Sequence, residues 1–181
     1  MVIVYREPTS AEMKNIQIVL SDWVEKAKLK VINENYQFII GEGNWKEVFI
    51  SNSTTSTIIK TFKDITPYSV GLGLGEIKNE EFLLSLSGGQ FIFDYSDKKV
   101  TINPEAEQLF LYKRDIHCKS IITIKNEFSP EDKVLITNSN DDYLGLGKII
   151  LPISEIRNPK NIDVVAIKNI IDLGWYLRKG K

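Results

Sequence analysis

Val100-Thr-Ile-Asn-Pro-Glu-Ala-Glu-Gln-Leu-Phe-Leu-Tyr112 and, further along, Tyr143-Leu-Gly-Leu-Gly-Lys148 carry the reading of this chain. In the first stretch a short strand over 99–102 runs into Asn103, a good N-cap. Pro104 follows as a good first helical residue, so a helix extends to about Tyr112. Strands are expected over 121–124 and 134–137, separated by a turn at Ser129-Pro-Glu-Asp132. Asn138-Ser-Asn-Asp-Asp142 reads as a polar hairpin loop and 143–152 as its return strand. Gly145 and Gly147 bend that strand, a device that closes small barrels. Residues 154–156 read as a helical turn. Residues 164–171 are β-branched and read as a strand, although their apolar spacing leaves a helix open.

Working back toward the N-terminus, Thr9-Ser-Ala-Glu12 is a capping box. Met13, Ile16, Val19, Leu20 and Trp23 follow at helical spacing, so a helix is expected over 10–24. Residues 35–40 and 46–50 read as two strands of a hairpin around a turn at 41–44. The polar run 51–56 reads as a loop leading to a short helix over 57–62. Two more strands are expected over 68–75 and 81–86. Gly88-Gly89 punctuates, and 90–95 reads as a short helix. Ser96-Asp-Lys-Lys99 is the candidate boundary between an N-terminal α/β domain, 1–97, and a C-terminal domain, 98–181.

Composition narrows the class. The chain has 181 residues, enough for one large domain or two small ones; 43% of them are hydrophobic, enough for a real core, and 26% are charged, ordinary for a soluble protein. No apolar run approaches the ~18 residues of a membrane span. Val2-Ile3-Val4-Tyr5 is too short for the apolar region of a secretory signal and is followed by Arg6, Glu7 and Pro8. Cys118 is the single cysteine and His117 the single histidine. An intramolecular disulfide and a structural zinc site are therefore excluded. A cytoplasmic protein with no membrane and no disulfide-linked partner is expected. Net charge is −1, yet residues 1–97 carry 9 basic against 13 acidic side chains, and residues 98–181 carry 14 against 11. The positive balance of the second part is compatible with a nucleic-acid-facing domain.

Catalytic patterns are weak. Gly71-Leu-Gly-Leu-Gly75 is not the G-x-G-x-x-G of dinucleotide sites and lacks the Lys-Ser/Thr of a P-loop. Glycines in a strand more often mark a bend or a close backbone approach. His117 and Cys118 are adjacent, so on a strand they point to opposite faces and do not act as a pair. Glu80-Glu81 and Asp141-Asp142 fall at turns, where solvated carboxylates are the ordinary case. No catalytic residue, metal ligand or cofactor site is expected. The basic residues Lys148, Arg157, Lys160, Arg178 and Lys179 read either as solvated charges or as a phosphate-contacting stripe. Trp175, Tyr176 and Tyr143 read as core residues or as platforms for bases.

The strand–helix 100–112, the turn–strand 129–136 and Leu144-Gly-Leu-Gly-Lys-Ile149 resemble a PUA domain, the RNA-binding pseudobarrel of RNA-modifying enzymes and ribosome-assembly factors. More narrowly, Ile102-Asn-Pro-Glu-Ala-Glu-Gln-Leu-Phe-Leu-Tyr112, Asn161-Ile-Asp-Val-Val-Ala-Ile167 and Asp172-Leu-Gly-Trp-Tyr-Leu-Arg178 are similar to the nuclear import protein seven family, in its archaeal type. The resemblance covers most of 68–181. It implies an α+β fold in which an N-terminal α/β sandwich-like domain is followed by a PUA-type β pseudobarrel. It implies RNA binding, through basic residues that fall at Arg157 and Lys160, in large-subunit assembly or pre-rRNA processing. The partners it implies are RNA, single-stranded or pre-rRNA, and ribosome-assembly proteins met through the N-terminal domain. In this chain Asn158 and Pro159 interrupt the basic cluster, Asn161 replaces a basic residue, and Lys113 stands where a small residue is usual. The alternative is an RNA-modifying enzyme or its accessory subunit, with the PUA domain delivering substrate.

Overall fold

A computed structural model describes residues 3–52 and 67–179, with the Lys179 side chain outside that set. The short helix expected over 57–62 lies outside the described residues, as does most of the polar run before it. Two compact units divide the chain, Met1–Tyr95 and Ser96–Lys181.

In the first unit, β1 (Val4–Arg6), β2 (Tyr36–Glu42), β3 (Lys46–Asn52), β4 (Leu72–Lys78) and β5 (Glu81–Leu84) form an antiparallel sheet in that spatial order. The helix α1 (Ser10–Ser21) starts at the expected capping box: Glu12 N–H donates to Thr9 Oγ1 and Thr9 N–H donates to Glu12 Oε2. It stops three residues short of the expected end. Trp23 and Val24 are buried nonetheless, in the turn that follows. A second helix, α2 (Lys26–Asn35), was not foreseen. Its N-cap Glu25 makes no side-chain capping bond, and only Leu29 and Ile32 are buried. The usual start signal and apolar stripe are therefore both missing. The β4–β5 turn places Asn79 and Glu80 at positive φ, as a two-residue hairpin of the primed type requires.

The helix expected over 90–95 is instead α3 (Leu86–Ile92), and Gly88-Gly89 lies inside it. Ser85 caps it, accepting from Gly88 N–H at 2.9 Å. A Cβ on Gly88 would sit 2.0 Å from the Leu74 carbonyl oxygen. Gly88 lets the helix lie on β4, so the Gly88-Gly89 pair sits within a packed helix and is not a break. The same holds for Gly75, whose Cβ would meet the Leu83 carbonyl oxygen at 2.1 Å.

The second unit is a six-stranded sheet. Its strands are β6 (Lys99–Ile102), β7 (Ile116–His117), β8 (Ile121–Ile124), β9 (Lys133–Thr137), β10 (Tyr143–Ile149) and β11 (Val165–Asp172). The spatial order is β7-β11-β10-β9-β6-β8, antiparallel except for the parallel β6–β9 pair. This is the curled mixed sheet that the PUA resemblance implies. Asn103 caps α4 (Pro104–Leu111) by accepting from Ala106 N–H at 2.8 Å. Ala106 and Phe110 of that helix pack with Val100, Ile102, Val134, Ile136, Leu144 and Ile167 in one core. Residue 113 is left-handed at φ 64 just past the helix. That is the position glycine favours in a helix C-terminal motif, which gives a physical reason for the small residue that the resemblance implied where this chain has Lys113. The return strand ends at Ile149, earlier than expected, and a single helical turn, α5 (Ile153–Ile156), follows. Residues 165–172 are a strand, which removes the helix alternative. The helix α6 (Gly174–Lys179) closes the described chain.

Candidate nucleic-acid interface

Lys148 lies near the end of β10 and pairs with Glu131 at 2.8 Å. Arg157 follows α5 and reaches Glu127 at 3.9 Å. Both carboxylates belong to the segment leading into β9, so Lys148 and Arg157 meet the same acidic loop. Lys160 sits in the 3-10 turn Pro159–Asn161, where its N–H donates to Asn158 Oδ1. Asn158 and Pro159, which interrupt the basic cluster, thus start a turn, with Asn158 as its cap. Asn161 holds that turn to α5 by donating to the Glu155 carbonyl and carboxylate. Lys160 and Arg157 are exposed. Exposed pairs such as Arg157–Glu127 contribute at most about 1 kcal/mol, so these cations are readily available to a stronger anion.

Arg178, expected on the same stripe, is turned inward. Its guanidinium donates to both oxygens of Asp172, at 2.9 and 3.0 Å, and to the Leu111 carbonyl. Asp172 is fully buried and also accepts from Asn169 Nδ2, which bonds the Phe110 carbonyl as well. These contacts tie α6 and β11 to the end of α4. A Cβ on Gly174 would lie 1.8 Å from the Leu111 carbonyl oxygen, so α6 approaches that end as closely as a backbone can. A bidentate pair to a buried carboxylate holds its cation far more firmly than an exposed pair does. Lys179 lies in the same helix.

The aromatic candidates separate in the same way. Tyr143 is buried, and burial pushes its hydroxyl well above the usual tyrosine range. It is a core residue and presents no ring to a base. Trp175 and Tyr176 are partly open, their rings 5.2 Å apart in an edge-to-face arrangement.

Cys118 is buried and its thiol is pushed up by that burial, the opposite of an activated nucleophile. Asp142 and Asn138 are absorbed in the β9–β10 loop: Asn138 Oδ1 accepts from Asn140 and Asp142 N–H, and its amide donates to Asp142 and to Glu107 of α4. Among the described residues no cluster of three His, Cys, Asp or Glu side chains could hold a metal ion.

Register reveals what sequence reasoning missed. Lys148 stands directly opposite Lys133 in β9 and directly opposite Lys168 in β11. Three lysines far apart in the chain form one line across three strands. No sequence signal could have found this, because the line depends on which strands pair and in what register.

Comparison with known proteins places the chain. A family model described as the UPF0113 PUA domain matches residues 98–181, and one described as the NIP7/UPF0113 pre-PUA domain matches residues 5–86. A UPF0113 protein of Archaeoglobus fulgidus is 31% identical over 177 residues, covering 98% of this chain and 96% of its own. A protein of Danio rerio named as a 60S ribosome subunit biogenesis protein NIP7 homolog is 25% identical over 175 residues, covering 96% of each chain. A crystal structure of a PUA domain protein from Aeropyrum pernix superposes with a TM-score of 0.62 at 11% identity, covering 98% of this chain and 91% of that one. At that identity the likeness concerns the fold alone.

Proposed function

The chain belongs to the NIP7/UPF0113 family, and from that premise we propose that it is an RNA-binding factor of large-ribosomal-subunit biogenesis with no chemistry of its own. It acts in pre-rRNA processing or assembly, in a cytoplasmic setting. Residues 98–181 hold a single-stranded or pre-rRNA segment through Lys148, Arg157 and Lys160, with Lys179 beyond them. Residues 1–97, with their acidic balance, meet a ribosome-assembly protein. The observation that carries the reading is the placement of Lys148 and Arg157 on one acidic loop, with Lys160 exposed on the turn just after Arg157. Such weakly held cations exchange a surface carboxylate for a phosphate at little cost. Arg178 has a structural part in this scheme and contributes through α6.

The test is a titration of the full chain with a labelled uridine-rich single strand at several salt concentrations, read by anisotropy. Each phosphate contact on a single strand adds roughly 0.7 to the slope of log K against log salt. Arg157→Ala with Lys160→Ala should lower the slope by about 1.4. Absence of binding at low salt, or an unchanged slope in the double variant, would overturn the assignment.

A further inference from the structure

The row Lys133–Lys148–Lys168 answers to no need of the fold. Residues directly opposite in antiparallel strands share a face, with Cβ atoms about 4.5–5.5 Å apart, and like charges placed there are destabilising. Here the register sets that arrangement twice in succession, β9 to β10 and β10 to β11. Lys133 and Lys168 are exposed and Lys148 is half-buried. Among the described residues one carboxylate, Glu131, serves the row. It pairs with the central lysine and is itself largely exposed. Like-charge repulsion is therefore left mostly uncompensated.

We infer that the Lys133–Lys148–Lys168 row is a second phosphate-contacting element, on which the backbone of the bound RNA strand lies across β9, β10 and β11. Two strand spacings of about 4.8 Å carry the row across about 10 Å. That length is one that a few consecutive phosphates of a single strand can follow. The row also stands at the right end of the sheet. Lys133 opens β9, Lys148 is the next-to-last residue of β10, and the chain leaves β10 for α5, which Arg157 follows, and then for the 3-10 turn bearing Lys160. Lys148 belongs to both elements and joins them into one track. Ammonium groups arranged this way contact the backbone and leave base identity unread. This inference rests on the RNA-binding reading and extends it to Lys133 and Lys168.

The experiment uses the full chain, a labelled uridine homopolymer and a labelled poly-glutamate of matched charge, with anisotropy measured from low to moderate salt. Lys133→Gln with Lys168→Gln should lower the RNA salt slope by about 1.4, a loss of roughly 25-fold in affinity at 0.1 M salt. Melting temperature should be unchanged or raised, since repulsion is relieved, and this separates lost contacts from lost folding. Glu131→Gln should tighten RNA binding by freeing Lys148. If the unaltered chain binds RNA and the double variant keeps its slope and affinity, the row is overturned while the RNA-binding reading stands. If the unaltered chain fails to bind at low salt, both fall. Equal binding of poly-glutamate and RNA, lost equally in the double variant, would also overturn the proposal, because the row would then be a general anion surface.

Discussion

Gly145→Ala tests the geometry on which the C-terminal unit depends. Gly145 lies in β10 with φ +152, a backbone conformation closed to ordinary side chains. A Cβ there would stand 2.3 Å from the Ile171 carbonyl oxygen and 2.7 Å from Asp172 Cα. Both are main-chain atoms of the neighbouring strand and cannot swing aside as a flexible side chain could. A residue held in such a conformation costs on the order of 1–3 kcal/mol, and forcing apart well-packed groups adds about 1–3 kcal/mol. The expected loss is therefore about 2–6 kcal/mol. A unit of this size has a stability of about 4–13 kcal/mol at ~0.05–0.15 kcal/mol per residue. With ~4–8 °C of melting temperature per kcal/mol in a domain of this size, the transition should fall by at least about 8 °C. Unfolding of the full chain, followed by far-ultraviolet circular dichroism and tryptophan emission, reads the change. The control is Gly73→Ala in the other glycine-rich strand, where a Cβ would meet nothing within 4 Å. That substitution should be neutral or stabilising by up to about 1 kcal/mol, through the entropy of the unfolded chain. A Gly145→Ala variant that melts with the unaltered chain, or a Gly73→Ala variant that loses as much, would refute the close-approach reasoning.

Two further outcomes follow from the ion pairs. Arg178→Ala should lower the urea midpoint of the C-terminal unit more than Arg157→Ala does, because it strands the buried Asp172 carboxylate. Adding Asp172→Asn should restore part of that loss, and the RNA salt slope should stay unchanged in Arg178→Ala. In the N-terminal unit, the Arg6 guanidinium holds the Glu12 carboxyl well below the ordinary glutamate value of 4.5, with the Thr9 backbone and Lys46 assisting. A depressed folded-state value means the stabilisation is fully present above that ordinary value and is lost as pH falls through the folded one. Urea midpoints measured from pH 7 to pH 2 should fall on the acid side, and Glu12→Gln should flatten that limb.

Much of the local structure was legible because its causes are local. The Thr9–Glu12 box and the Asn103-Pro104 start involve groups three residues apart, so sequence spacing alone specifies the hydrogen bonds. The helix α2 escaped because Glu25 makes no side-chain cap bond and tertiary burial of Leu29 and Ile32 stabilises it instead. The helix α3 was misjudged because a glycine pair reads as a break until β4 is seen lying against it. Among the basic residues, Lys148 and Arg157 are brought to one loop, whereas Arg178 is drawn to Asp172, a partner six residues away whose burial no pattern announced.

By itself the sequence determined the capped helix starts, the glycine-bent strand and the positive balance of residues 98–181, since each follows from composition, periodicity or spacing; the family likeness rested on resemblance of particular segments. Only the tertiary structure decided which cations face outward together. Periodicity assigns a residue to a face of its own strand but says nothing of the residue opposite. That pairing is set by register, and bulges between Tyr143 and Gly145 and between Leu146 and Gly147 shift it on both sides of β10. The line of Lys133, Lys148 and Lys168 exists because of those shifts.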